Sequence, residues 1–165
     1  MAITITAYRS LRPIRDPVFN DYGLLEDTET QVWLMQPLGI EEETPNRMAG
    51  IGNGIYRFAD KMMFRMGSHR TYRAWLDDLA RLVGHPNASV IYDAPDGTFS
   101  GPFVELLNFR PEGVLGPEVS TKLDQDFIDH WSRAFSSNDV EFYSRYVLWT
   151  KAFRMASDGG AVHFH

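Results

Sequence analysis

Residues 101–127, with the sequence GPFVELLNFRPEGVLGPEVSTKLDQDF, decide the organisation of the second half of the chain. Proline is favoured at the first position of a helix, so Pro117 predicts a helix start. From there apolar side chains recur every four residues, at Val119, Leu123, Phe127, Trp131 and Phe135. This spacing predicts a helix whose apolar stripe faces the core of the protein.

Several polar side chains in this stretch are candidates for chemistry. Glu105 and Asn108 interrupt the apolar run 103–109, which could be a short helix or a strand, and they would need partners if buried. Neighbouring carboxylates could hold a hard cation or act as acid and base, whereas a spacing of four residues is typical of solvated ion pairs. The candidate ligand-binding residues are Glu105, Asn108, Glu112, Lys122 and Asp126.

The same stretch carries two blocks, GPFxELxNF and EGxxGPxVSxKLxxDF, and residues 149–165 carry a third, WxxAFxxAxDGGxVxFH. In this order the blocks resemble a family of small bacterial proteins, often found in prophage-like surroundings, to which no function is assigned. The likeness extends to residues 64–68, Tyr72 and Trp75, and is loose before Gly54. It implies a shared fold and no particular chemistry.

Composition limits the classes of protein to consider. A chain of 165 residues with 13% aromatic residues is the size of one domain, here 1–165, and can bury a core. It has no cysteine, so disulfides and thiolate chemistry are excluded. A net charge of −6 disfavours nucleic acid as a partner. Without a secretion signal or a membrane-spanning run, the sequence predicts a cytoplasmic protein with no membrane partner.

The first third of the chain predicts strands. Residues 3–8 alternate apolar and polar side chains, residues 31–35 form a second strand candidate, and the even positions of 55–66 are mostly apolar. Asp60 interrupts that last pattern, which indicates a bend or two short strands around residues 60–61. The links between these segments are not helical, so we expect an antiparallel sheet.

The remaining segments are mainly helical. Ser68 is a suitable N-cap for a helix that ends near Gly84, and Asn138 with Glu141 resembles a capping box for a final helix. Residues 88–92 could be a short strand, and residues 161–165 alternate as a strand does. The predicted fold is α+β, with a small antiparallel sheet, from the first third plus the C-terminal strand, packed by three or four helices.

Other chemical motifs are weak. His163 and His165 would share one face of a strand, but a metal site needs a third ligand, so neither a metal nor a cofactor is predicted. Ser120, Asp126 and His130 lie on one predicted helix and cannot meet as a catalytic triad. The glycines of residues 50–54 lack the spacing of a dinucleotide-binding loop.

These observations leave the function open between two main hypotheses. The first is a non-enzymatic intracellular protein that binds an unknown protein or small molecule, for example an accessory factor of a mobile element, as the family setting suggests. The alternative is a small hydrolytic or metal-assisted enzyme that uses the acidic and amide side chains of residues 105–126. A structural subunit of an oligomer is a third option, and the sequence does not define the oligomeric state.

Overall fold

Seven strands form two antiparallel sheets in the computed structural model, which describes residues 1–165. The strands are β1 Ala2–Arg9, β2 Arg12–Pro13, β3 Gln31–Leu34, β4 Gly54–Arg57, β5 Asp60–Ser68, β6 Gly113–Leu115 and β7 Ala161–Phe164. The helices are α1 Leu38–Glu43, α2 His69–Leu82, α3 Ser89–Tyr92, α4 Val104–Leu107, α5 Pro117–Asp129, α6 Trp131–Phe135 and α7 Val140–Ala156. The α+β class is confirmed, with a second sheet and more short helices than the sequence predicts.

The main sheet has the strand order β5-β1-β7-β6. Successive side chains of a strand point to opposite faces, so β1 has two different faces. Its apolar side chains Ile3, Ile5 and Ala7 are buried in the larger hydrophobic cluster of the protein. Thr6 lies on the other face, opposite Met63 of β5 and His163 of β7. We call these two surfaces the inner face and the outer face of the main sheet.

Three long helices, α2, α5 and α7, pack on the inner face. Trp149 of α7 lies at the centre of this core, where its ring is 5.2 Å from that of Trp75 and 5.3 Å from that of Phe64. Each of these rings removes a large apolar area from water, so the stability of the fold depends strongly on them. The expected start of α2 is confirmed, since Ser68 Oγ accepts a hydrogen bond from the Thr71 backbone N–H at 3.1 Å.

The small sheet, with the order β2-β4-β3, covers one end of the outer face. Tyr8 of the main sheet packs there on Phe58, with ring centroids 5.0 Å apart. The chain passes from the small sheet to the main sheet between β4 and β5, which confirms the division predicted around residue 60. The two sheets therefore share a second, smaller hydrophobic cluster on the outer side.

The strand predicted at residues 88–92 is wrong, because this segment is the short helix α3. Two side chains provide hydrogen bonds that favour the helical turn. Asp77 Oδ1 accepts from the Ala88 backbone N–H at 2.8 Å, and Asn87 Oδ1 accepts from that of Val90 at 3.3 Å. Burial of Ile91 by this turn then outweighs the strand preference of its β-branched residues.

The apolar stripe predicted along α5 is interrupted at His130, between α5 and α6. The His130 ring bonds to the Asp126 backbone carbonyl at 2.9 Å and ends the helix there. As a result Phe127 is fully buried, whereas Phe135 is 66% exposed. The cap of α7 also differs from the prediction. Asp139, one residue after Asn138, accepts the capping bond from Phe142 N–H.

Helix α7 and strand β1 approach closely at Gly160, just after the helix. A Cβ atom at this position would lie 1.7 Å from the backbone oxygen of Tyr8 and 2.7 Å from its carbonyl carbon. Only glycine fits such a contact, because backbone atoms inside a sheet cannot move away. Gly160 therefore allows the chain to turn from α7 directly into β7.

Candidate binding site

Three of the five predicted ligand-binding residues meet in one network. Lys122 Nζ lies 2.7 Å from Glu105 Oε2 and 2.7 Å from Asp126 Oδ2. It also donates a hydrogen bond to the Gly101 backbone carbonyl. Asp126 Oδ2 in turn accepts from the Phe103 backbone N–H at 3.0 Å. We call this group of residues the Lys122 network.

The Lys122 network holds an unusual backbone conformation in place. Phe103 has φ 61°, in the left-handed region, and its side chain is fully buried. A non-glycine residue is strained there and persists only where its surroundings fix it. The bond from its N–H to Asp126 supplies such a constraint. The contacts of this network are thus explained by the architecture of the loop before α4.

Asn108 and Glu112 lie outside the Lys122 network. Asn108 Nδ2 donates to Asp96 Oδ1 at 3.3 Å, and Arg47 Nη2 donates to the same oxygen at 2.6 Å. Asn108 lines a polar cleft of about 710 Å³ together with Arg110, whose guanidinium pairs with Glu43. Glu112 is exposed at the surface. The structure thus brings together Glu105, Lys122 and Asp126, and not all five residues.

The start of α5 offers few free donors. The Gly116 backbone N–H donates to the Arg47 carbonyl at 2.7 Å, and that of Glu118 donates to the Ala49 carbonyl at 3.4 Å. Pro117 between them has no N–H. An anion at this helix terminus would therefore have to displace contacts with residues 47–49.

A second cleft, of about 660 Å³, lies on the open part of the outer face. We call it the outer-face cleft. Its floor is the main sheet, and its wall is the segment between β2 and β3 together with the start of β3. Its lining includes Thr6, Leu24, Trp33, Met63 and His165.

The wall of the outer-face cleft is shaped by local hydrogen bonds. Asn20 Oδ1 accepts from the backbone N–H groups of Tyr22 and Leu24, at 3.0 and 3.1 Å. Asp27 accepts from the hydroxyl of Thr30 at 2.6 Å, and this bond is the largest cause of the lowered pKa of the Asp27 carboxyl. Such turns form from short-range contacts, so the wall is defined by its own sequence.

Several polar groups in the floor of the cleft are neutral. Thr6 Oγ1 and His165 Nε2 are joined by a hydrogen bond of 2.8 Å. Burial lowers the pKa of His165, which lines the cleft. The neighbouring His163 does not line it, and burial, with a smaller contribution from His165, lowers the pKa of His163 to about 4. Burial raises the pKa of the Tyr8 phenol to about 12. At neutral pH Thr6, Tyr8 and His165 therefore offer hydrogen-bonding groups without charge, and Lys61 is the charged residue of the floor.

The rim of the cleft is apolar to an extent that folding alone does not explain. Trp33 is 50% exposed and Met63 is 66% exposed, and Leu24 is also largely in solvent. The Phe19 ring packs edge-on to Trp33, with centroids 6.1 Å apart. Exposed apolar side chains that surround a concave surface are typical of a binding site.

Sequence analysis missed the outer-face cleft because its residues are distant along the chain. Thr6, Trp33, Met63 and His165 come from four separate segments, and no local spacing links them. A partial signal exists in the alternation of β1, which places Thr6 opposite the apolar face, and in His163 and His165, which share one face of a strand. Neither signal indicates the wall that completes the cleft.

Comparisons with protein-family models, with curated proteins and with solved structures find no match to this chain. The family resemblance of the three sequence blocks therefore stays a prediction. No helix of the protein is both long enough and apolar enough to cross a membrane. Nowhere do three or more His, Cys, Asp or Glu side chains come together in a group that could hold a metal ion.

Proposed function

We propose that this chain is a non-enzymatic binding protein and that its ligand is a small molecule with a flat apolar body and one polar group. The supporting observation is the outer-face cleft, where Trp33 and Met63 expose large apolar surfaces above the hydrogen-bonded pair Thr6–His165. Trp33 would contact the face of the ligand. The Thr6–His165 pair would fix its orientation.

The size and shape of the cleft favour a small molecule over a protein surface. Its volume of about 660 Å³ lies within the range of roughly 300–1,000 Å³ that is usual for small-molecule sites. Such sites are mostly apolar, with a few polar groups that give specificity. The outer-face cleft is more polar than this average, since six of its fifteen lining residues are hydrophobic, and Trp33 and Met63 provide its large apolar surfaces.

The charges around the cleft favour a neutral or cationic ligand. Glu26 and Glu29 line it, and the only charged basic side chain of its lining, Lys61, lies 5.4 Å from the centre of the Phe58 ring. His165 in the floor adds no positive charge at neutral pH, because burial lowers its pKa. Two carboxylates against one ammonium leave the lining with a net negative charge, which disfavours an anion.

The alternative of a hydrolytic or metal-assisted enzyme built on residues 105–126 has less support. It would need Glu105, Asn108, Glu112 and Asp126 in one concave site with free functional groups. Instead Glu105 and Asp126 are paired with Lys122, Asn108 is bonded to Asp96, and Glu112 is at the surface.

The proposal also includes the cellular location of the protein and its class of partner. A cytoplasmic location agrees with the absence of cysteine, and the net charge of −6 argues against a nucleic-acid partner. A role as an accessory factor of a mobile element has only the family resemblance as support. These points do not affect the test of the cleft.

Three probes of the same shape and different charge test the proposed ligand: benzamidine, benzamide and benzoate. Methyl resonances of methionine, observed by NMR, report on Met63 in the cleft, and the six other methionines serve as internal controls. We expect benzamidine and benzamide to shift the Met63 signal, with a Kd on the order of 1 mM for such small ligands. Benzoate should bind more weakly than either.

A pair of variants locates the binding. Trp33→Ala should abolish the shifts, whereas Tyr22→Ala should leave them unchanged, because Tyr22 is an exposed aromatic residue of the same segment that does not line the cleft. The proposal fails if Met63 responds to none of the probes at ~10 mM, well above that Kd. It also fails if Trp33→Ala binds as the unchanged protein does.

A further inference from the structure

His165 lines the outer-face cleft, and His163 lies next to it on the same face of the main sheet. His163 is on β7, and the backbone of His165 continues the same pairing through two hydrogen bonds to Thr4. Residues two apart on a strand point to the same face, so both imidazoles lie on the outer face. Their ring centroids are 4.9 Å apart.

This separation fits two imidazoles that share one ion. A metal–nitrogen bond of ~2.0–2.1 Å puts the centre of an imidazole ring about 3.2 Å from the ion. Centroids 4.9 Å apart would then subtend roughly 100° at a shared ion, which is close to a tetrahedral angle. The χ2 torsion of histidine is soft, so the rings can turn toward a common ion while the backbone stays fixed.

The ring nitrogens needed for coordination are available. Of the five histidines, only His130 and His165 have hydrogen-bonded rings, so both nitrogens of His163 lack a protein partner. His165 uses Nε2 for its bond to Thr6 and keeps Nδ1 free. Metal-ligating histidines usually hydrogen-bond through their second nitrogen, which fixes the ring orientation. Thr6 is placed to act in this way on His165.

We propose that His163 and His165 form an open binding site for a late first-row transition-metal ion such as Ni²⁺ or Zn²⁺. Imidazole suits these ions, whereas Mg²⁺ prefers oxygen ligands. The protein supplies two ligands, since no group of three candidate side chains exists, and water or a molecule in the cleft completes the coordination. The site shares His165 with the proposed ligand site and does not include Trp33, which would contact the face of the ligand.

Calorimetric titration of the untagged protein with NiCl₂, ZnCl₂ and MgCl₂ tests this site. We expect one Ni²⁺ or Zn²⁺ per chain with a Kd below ~1 mM, and no detectable heat of binding for Mg²⁺. His165→Gln and His163→Gln should each weaken binding by about tenfold or more. Thr6→Val should weaken it by a smaller factor, because the ring of His165 loses its orienting partner.

His69→Gln is the matched control, because His69 is an exposed histidine outside the cleft. This variant should bind Ni²⁺ and Zn²⁺ with the affinity of the unchanged protein. If His163→Gln does not fold, the exposed position His165 decides the test. Unchanged affinity in folded His165→Gln, or no binding of either ion by the unchanged protein, would refute the site. Trp33→Ala should bind the metal ion as the unchanged protein does but should no longer bind benzamidine. Failure of the metal site can therefore be distinguished from failure of the proposed function.

Discussion

The inner and outer faces of the main sheet are built by the same strands but have opposite surroundings. On the inner face Ile5 and Phe64 are enclosed by helices, with most of their surface removed from water. On the outer face the neighbouring residues Thr6 and Met63 border a cleft, and Met63 is mainly in solvent. Burial therefore explains the inner side chains, whereas it does not explain the exposed Met63 at the cleft, which the proposed ligand would cover.

The polar residues show a similar contrast. Carboxylates that lie close together in sequence, in the stretch 105–126, are largely used within the protein, as the Lys122 network shows. His165 and Thr6, which lie far apart in the sequence, are brought together in the cleft, and His165 keeps a free ring nitrogen there. A dense polar motif can thus belong to the architecture, while a site of sparse residues is assembled by the fold.

The largest difference between the faces should appear at two adjacent residues of β5. Phe64→Ala is expected to lower the free energy of unfolding by about 3–5 kcal/mol, because it leaves a cavity beside Trp149. Met63→Ala, on the outer face, should change it by less than about 0.5 kcal/mol. Urea unfolding followed by tryptophan fluorescence measures both. Similar losses at the two positions would contradict the assignment of the faces.

A pair of adjacent glycines tests the contact that joins α7 to the sheet. Gly160→Ala should cost about 3 kcal/mol of unfolding free energy, because its Cβ would overlap the Tyr8 carbonyl. Gly159 has φ +61°, but a Cβ atom there would make only an ordinary contact with Ser10 Cα at 4.0 Å, so Gly159→Ala should cost only about 1–2 kcal/mol. Chemical denaturation of both variants measures these two losses of unfolding free energy. An equal loss would mean that backbone conformation, and not the close approach, limits this turn.

The architectural role of the Lys122 network predicts a stability effect of intermediate size. Asp126→Ala leaves the Phe103 N–H and one contact of Lys122 unpaired, and should destabilise the protein by about 2 kcal/mol. Asp129→Ala, at an exposed acid of the same helix, is expected to change stability by less than about 0.5 kcal/mol. If Asp126→Ala is as stable as the unchanged protein, the carboxylate has no architectural role, and Asp126 is again a candidate binding residue.

The smallest effect at neutral pH is expected at Tyr72, whose buried hydroxyl has no hydrogen-bond partner. Burial raises the pKa of this phenol above its usual value of about 10. Tyr72→Phe should therefore change stability by no more than about 1 kcal/mol near pH 8, toward a more stable protein if at all.

The same variant should separate from the unchanged protein at alkaline pH. Above pH ~10 the unfolded chain loses the Tyr72 proton while the folded protein keeps it, so folding stability falls as pH rises, by at most about 1.4 kcal/mol per pH unit. Tyr72→Phe lacks this contribution. Its stability advantage in urea unfolding should grow between pH 9 and pH 11, roughly across the usual phenol pKa. A stability difference between the two proteins that does not change with pH would contradict this expectation.

Local patterns account for the elements that the sequence predicted correctly. The alternation of β1, the cap at Ser68 and the strand at residues 161–164 each depend on neighbours within a few positions. The helical state of residues 88–92 and the break at His130 depend on side chains that compete with intrinsic preference, such as Asp77 for Ala88. The outer-face cleft depends wholly on tertiary structure, since Thr6 and His165 are 159 positions apart.

The position of β7 inside the main sheet has a consequence for folding. Residues 161–164 pair with β1 on one side and β6 on the other, so these two ladders form only after the chain has been synthesised through residue 164. Until then β1 and β6 present unpaired strand edges, which are sites of aggregation. Pairs so far apart in sequence also slow folding, since a large loop must close first. A chaperone that shields β1 during synthesis would therefore act on the most vulnerable stage of this fold.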